Sequence, residues 1–307
     1  MPNLNNYWIY LVIIAQFISA AVVLIDKYLV GSKTDSHGSA PAGGPAVYTF
    51  YVSILSGVVL VILPFGWVLL PTLSVILISL AVAFSYIFSI LFLYNSLKTS
   101  DASDVAPVMG AISALSTLFF SFIILKNSLP HNFMIGFLYL IAGTFLMSHF
   151  RFDKKSSIYV ILAGLLFGLS SVFTKMIFNQ TTFVNGFFWS RMANVLAAVT
   201  LLLWPANLKA IVQNLKYSTK ETKFLVIGNK ALAGLAFLLI LGAIKLGEVS
   251  VVNALGGIQF VFLLLLAFIF TYKMPEHFHE AVHRERNLIK KITASSLIII
   301  GLYLLFI

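Results

Sequence analysis

Apolar runs of about twenty residues follow one another along almost the whole chain, parted by short polar joints. A run of that length crosses the hydrocarbon core of a bilayer as a helix. In that core every backbone N–H and C=O must find its partner inside the protein, which a helix achieves within one segment. A barrel would show alternating strands of about ten residues, and the sequence has none. Composition agrees. Of 307 residues 60% are hydrophobic and only 10% charged, with a mean hydropathy of +0.99. That leaves too little polar surface for a water-soluble domain of this size. The expected fold class is an all-α membrane protein.

Ten spans are expected, at 7–30, 45–63, 70–97, 102–125, 132–150, 157–178, 183–203, 223–246, 249–272 and 288–307. The N-terminus, MPNLNNYW, lacks the basic region of a cleavable signal, so the first run is expected to stay as a helix. Residues 31–44 are rich in Ser, Gly, Ala and Pro and read as a loop. Residues 151–155 form a short polar joint, and 207–223 and 273–286 are the other sizeable polar segments.

The chain echoes itself. KTSDASDVAPVMG from Lys98 and KLGEVSVVNALGG from Lys245 align at a shift of 147 residues. Lys98 meets Lys245, Asp101 meets Glu248, Ser103 meets Ser250 and Gly110 meets Gly257. Each copy ends one apolar run and opens the next, with its carboxylate in the first turn, where the positive helix end favours it. Lys27 and Lys175 repeat at a shift of 148. The implied division is a first five-helix half over 1–150 and a second over 151–307. Five spans per half is an odd number, so the halves enter the membrane in opposite senses. Inverted repeats of this kind build transporters, with the binding site between the halves near mid-membrane.

Charge then sets orientation. Arg191 and Lys230 fall inside spans, and Lys126, Lys175 and Lys245 follow even-numbered spans. Every other Lys and Arg flanks a loop after an odd-numbered span, which predicts those loops in the cytoplasm and both termini outside. The net charge of +10 is read as this bias rather than as a nucleic-acid surface.

Two five-helix halves, each with a short Lys-x-x-acid-x-Ser hairpin between its third and fourth helices, resemble the drug/metabolite transporter superfamily, EamA type. AIKLGEVSVVNALGGIQFVFLLLLAFIF and FFWSRMANVLAAV carry the likeness most closely. It covers nearly the whole chain. It implies a ten-helix secondary transporter working by alternating access, with no fixed substrate, since the family moves amino acids, sugars, nucleotide-linked metabolites and drugs. The first half departs from the pattern: YTFYVSIL has no counterpart of Arg191.

A charge at the centre of a bilayer costs about 2.5–3.5 kcal/mol on insertion scales, so each one calls for a reason. Lys230, beside Asn229 and followed by the small residues Ala231, Ala233 and Gly234, reads as an anion contact or as a lysine snorkelling to the interface. Arg191, with Asn194 three residues on and on the same face, reads as a bidentate anion contact or as a structural pair. Asp26 reads as a site of proton or cation coupling, or with Lys27 as a headgroup anchor. Lys175 shares the Lys27 reading. Lys27, Lys175, Trp189, Tyr51, Asn253 and Gln259 are further substrate-binding candidates. Gln16, Tyr86 and Asn95 are weaker ones, since polar groups in spans often only join helices. Gly256 and Gly257 are expected to loosen the ninth span, and Gly164 and Gly168 to permit close packing.

The sequence has no cysteine, so no thiol catalyst or thiolate metal site is expected. His277, His279 and His283 lie in a charged stretch that reads as a solvated face rather than a metal site. Nothing resembles a phosphate-cradling loop or a nucleophile elbow, so neither a cofactor nor an enzymatic or ATP-driven activity is expected. The expected function is secondary transport of a small anionic or zwitterionic metabolite. The alternatives are a proton-coupled exporter of amphipathic or cationic compounds using Asp26 and, further off, a non-transporting membrane protein. The expected partners are the substrate and the bilayer, with the oligomeric state left open and a monomer plausible. Lack of targeting signals and of cysteine fits a prokaryotic cytoplasmic (plasma) membrane.

Overall fold

The computed structural model describes residues 7–30, 44–100, 102–126, 131–147, 154–217, 220–273 and 285–304. Among the described residues every regular element is a helix, and no strand occurs. In order they are α1 (Tyr7–Val30), α2 (Pro45–Ile54), α3 (Leu73–Thr99), α4 (Ala102–Phe120), α5 (His131–Met147) and α6 (Lys154–Gln180). Then come α7 (Phe183–Thr200), α8 (Pro205–Tyr217), α9 (Lys220–Leu246), α10 (Val249–Ala254), α11 (Ile258–Lys273) and α12 (Glu285–Leu304). Tighter or wider turns extend some of them. Leu55–Phe65 continues α2, Ser121–Leu125 continues α4, Leu201–Leu203 continues α7, and Leu255–Gly257 joins α10 to α11.

Local chemistry fixes the ends. Pro45 occupies the first turn of α2, where its missing N–H costs nothing. Thr72 and Thr182 cap α3 and α7, their hydroxyls accepting from the N–H groups of Val75 and Asn185. Gly66, at φ 69°, ends the extension of α2 in the left-handed conformation that glycine adopts without strain. Gly256 and Gly257 lie in the 3-10 turn between α10 and α11, so the ninth apolar run does lose its α-helical pitch there.

Seven helical stretches among the described residues are long and apolar enough to cross a membrane. They are Tyr7–Asp26, Pro45–Phe65, Leu73–Thr99, Val105–Leu125, Lys154–Gln180, Phe183–Leu203 and Lys220–Leu246. Phe133–Leu146 and Val249–Leu263 are shorter apolar helices. Large apolar side chains such as Phe119, Phe122, Leu138, Ile158, Leu196 and Phe224 point outward. Small hydroxyls turn inward. Ser89 Oγ donates to the Ala163 carbonyl at 2.7 Å and Ser116 Oγ to the Leu165 carbonyl at 2.8 Å, tying α3 and α4 to α6. An apolar outer surface over a core with buried, hydrogen-bonded hydroxyls is the arrangement of a multi-pass integral membrane protein, and lipid is the solvent that such a surface suits.

One expectation is corrected. The polar stretch 207–223 contains most of α8, where a loop was expected. Pro205 opens this helix, Ile211 is buried, and Leu208 and Val212 are exposed beside Lys209. Its apolar residues share one face of a short helix at i, i+3, i+4, i+7 spacing and form no span-length run, so a search for spans passes over it.

The main helix pairs are α3 with α6, α5 with α12, α4 with α6, α1 with α9 and α3 with α7. Close approach depends on glycine. A Cβ at Gly168 would stand 2.7 Å from the Ser113 carbonyl oxygen, and one at Gly164 would stand 2.9 Å from that of Met109. Both glycines therefore seat α6 against α4.

Candidate functional site

α1 brings Asp26 into the interior near its C-terminal end, with 6% of its surface exposed. Its carboxylate is the meeting point of four helices. Oδ1 accepts from Tyr48 of α2 at 2.5 Å, from Asn229 Nδ2 of α9 at 2.6 Å and from Lys230 Nζ of α9 at 2.8 Å. Oδ2 accepts from the Tyr94 hydroxyl of α3 at 3.3 Å. Lys230 Nζ also donates to Tyr94 at 3.4 Å and lies 4.5 Å from the centre of the Tyr48 ring. Asp26 and Lys230 are thus an internal ion pair, and the headgroup-anchor reading does not describe Asp26. Such a pair lowers the cost of each charge, because each supplies what lost solvent supplied before.

A second centre lies two helical turns away. Arg191 on α7 is 7% exposed, and its guanidinium carbon stands 4.4 Å from the centre of the Phe237 ring and 5.4 Å from that of Tyr86. Aromatic faces attract a cation, and the attraction strengthens where water is absent. Among the described residues no carboxylate pairs with Arg191. Arg191 Nε and both amide atoms of Asn194 are buried and have no hydrogen-bond partner.

The two centres share their walls. Tyr86 and Tyr94 lie eight residues apart on α3, roughly 12 Å along the axis. Lys230 and Phe237 lie seven residues apart on α9, on one face. Gly234 falls between these two, and a Cβ there would meet no atom within 4 Å. The backbone between the centres therefore borders open space.

The other candidates lie apart. Lys175 Nζ donates to the carbonyls of Ile244 at 2.7 Å, Gly247 at 2.8 Å and Lys245 at 3.3 Å. It caps the C-terminal end of α9, where carbonyls lack helical partners. Lys245 returns the contact, its ammonium donating to the carbonyls of Phe178 and Thr181 at the end of α6. Asn253 Nδ2 donates to Thr117 Oγ1 at 2.6 Å, joining α10 to α4. Tyr51 donates to Asn214 Oδ1 of α8 at 2.7 Å. Trp189 Nε1 donates to the Leu69 carbonyl at 3.0 Å, and Asn95 bonds within its own helix. Gln16 is buried on α1, and Gln259 is half-buried on α11 away from both centres' contacts. The Lys27 side chain and the stretch holding His277, His279 and His283 lie outside the described residues.

Sequence reasoning missed Tyr48, Tyr94 and Phe237. The signal available was spacing: Tyr86 and Tyr94 share a face of one apolar run, as Lys230 and Phe237 share a face of another. At the 147-residue shift, Asn229 and Lys230 correspond to the buried Val82 and Ala83, and at 148 Asp26 corresponds to Thr174. At these shifts the cluster's charged residues have no charged counterpart.

No family model matches the chain, and no curated protein matches it either. Among solved structures, one crystal structure of a protein given no more specific description is 18% identical, with a TM-score of 0.61. The likeness covers 94% of this chain and 97% of that one. At that identity it shows a shared fold and nothing of function.

Proposed function

We propose that the protein is a secondary transporter of the EamA type in the drug/metabolite transporter superfamily, moving a small anionic or zwitterionic metabolite by alternating access. The observation that carries this reading is Arg191: a buried guanidinium, lying against two rings that also touch each other, with no carboxylate opposite it among the described residues. A permanent cation in a dry interior is costly, and an anion that comes and goes offsets that cost when bound. The guanidinium fork binds carboxylate or phosphate through two parallel hydrogen bonds. Asn194, on the same face, adds a donor and an acceptor. Gly234, exposed and with nothing within 4 Å of a Cβ, leaves α9 uncovered between Lys230 and Phe237, where a ligand could approach both cations.

Ten spans in two inverted five-helix halves complete the proposal, with α5, α10–α11 and α12 as the spans beyond the seven. The helix pairing supports it. Exchanging the halves turns the α3–α6 pair into α9–α1 and the α1–α3 pair into α6–α9, and returns the α5–α12 pair to itself. These three relations fit an internal two-fold axis, while the α3–α7 pair has no comparable α2–α9 counterpart. The exporter of cationic compounds is less well supported, because Lys230 already neutralises Asp26 at 2.8 Å.

Uptake into proteoliposomes tests the reading. Labelled amino acids, organic acids and sugar phosphates are offered to the unaltered protein and to Arg191→Ala. Saturable uptake of an anion that disappears in the variant supports it. Uptake of cations alone, indifferent to Arg191, sinks it.

A further inference from the structure

We infer that Asp26 is a tethered occupant of a carboxylate-binding site, and that a substrate carboxylate takes its place when Asp26 accepts a proton. The donors make the case. Tyr48, Asn229 and Lys230 converge within 2.8 Å on a single oxygen, two of them neutral groups and one an ammonium. Carboxylate oxygens accept several such bonds at once, and charge-assisted ones are the strongest. All three donors stand on helices other than the one that carries Asp26, so they form a site that survives without it. Asn229 Oδ1 is buried and unpartnered, an acceptor that a carboxylate leaves unused and that a donor on the same ligand could fill.

A purely structural ion pair is the competing account, and the internal repeat weighs against it. Where the first half places Val82 and Ala83, the fold closes with apolar packing, both residues being buried. Packing at this position therefore needs no charge, and apolar replacements of buried ion pairs are often as stable. The acid is kept for something that apolar groups cannot do.

The exchange balances. Before binding, Asp26 and Lys230 cancel. On binding, the substrate carboxylate accepts from Lys230, Tyr48 and Asn229, and Asp26 takes one proton from the aqueous phase that delivered the substrate. After release on the far side, that proton leaves and Asp26 returns to its donors. One proton accompanies each carboxylate, and the charge of this region is the same in both states. The titratable groups facing Asp26 are Tyr48 on α2, Tyr94 on α3 and Lys230 on α9. Arg191 on α7 and Tyr86 on α3 form the neighbouring centre, and α4 and α11 bring no titratable contact among the described residues. The inference deepens the transport reading and depends on it for its purpose, though its test does not require transport.

Formate and acetate are the probes, with chloride at equal ionic strength as the control, on protein in detergent. Asp26→Ala removes the tethered carboxylate and leaves its donors. Formate is expected to raise the melting temperature of that variant by at least about 3 °C, and chloride to leave it unmoved. In the unaltered protein near neutral pH and weak buffer, adding formate is expected to take up roughly one proton per chain, and in Asp26→Asn none. A folded Asp26→Ala that formate does not stabilise overturns the inference. If that variant does not fold, lack of proton uptake by the unaltered protein overturns it. Positive results in detergent with no carboxylate uptake into proteoliposomes would keep the site and remove the transporter reading.

Discussion

Arg191 on α7 lies with its guanidinium carbon 4.4 Å from the centre of the Phe237 ring on α9, and it faces no carboxylate among the described residues. Replacing it by lysine keeps the charge and loses the planar fork and the stacking. Arg191→Lys is expected to weaken anion binding at least tenfold, a difference of about 1.4 kcal/mol, while leaving the protein folded. Isothermal titration with the transported anion checks this. Unchanged affinity would show that the fork is not the contact.

Gly234 offers a test of the open space. Nothing lies within 4 Å of a Cβ there, so a larger side chain meets no steric penalty. An alanine in a helix interior is better than glycine by roughly 1 kcal/mol. Gly234→Leu is therefore expected to fold and melt no lower than the parent, yet to cut uptake severely. Normal uptake by a well-folded Gly234→Leu would move the substrate path elsewhere.

Lys175 separates capping from binding. Its ammonium serves three carbonyls at the end of α9. Lys175→Met leaves them unpaired, at a cost of about 1–3 kcal/mol. A lowered melting temperature with unchanged affinity for substrate is the expected result. A loss of affinity at unchanged stability would return Lys175 to the binding site.

The Asp26–Lys230 pair predicts a non-additive cycle. Lys230→Met alone strands a buried carboxylate and is expected to destabilise by about 3–5 kcal/mol. The double variant Asp26→Asn with Lys230→Met strands no charge and is expected to recover most of that loss. Denaturant unfolding of all four proteins measures the coupling. Additive costs would mean that the two side chains do not pair.

Gly168 reports on packing alone. Its Cβ would sit 2.7 Å from the Ser113 carbonyl oxygen, a backbone atom that cannot step aside. Gly168→Ala is expected to lower stability by about 1–3 kcal/mol through separation of α6 from α4, as overpacking does. A thermal melt equal to the parent's would show that the pair has slack.

Most of the helices were legible in the sequence. Lipid leaves a backbone so few options that apolar run length nearly dictates them. The stretches at 7–30, 183–203 and 249–272 begin and end within a residue or two of the helical segments observed. Glycine placed the 3-10 turn at Leu255–Gly257 for the same local reason. The amphipathic α8 escaped because its apolar residues never form a run. Which residues meet depends on how the helices pack. Nothing in the chain marks Asp26 as the partner of Lys230, 204 positions away, or joins Tyr48 and Tyr94 to them. A lone lysine in a span reads the same whether its ammonium faces a substrate, a lipid headgroup or a carboxylate. Contact between helices distinguishes these, because the energy of a buried charge depends on the few atoms within hydrogen-bond reach.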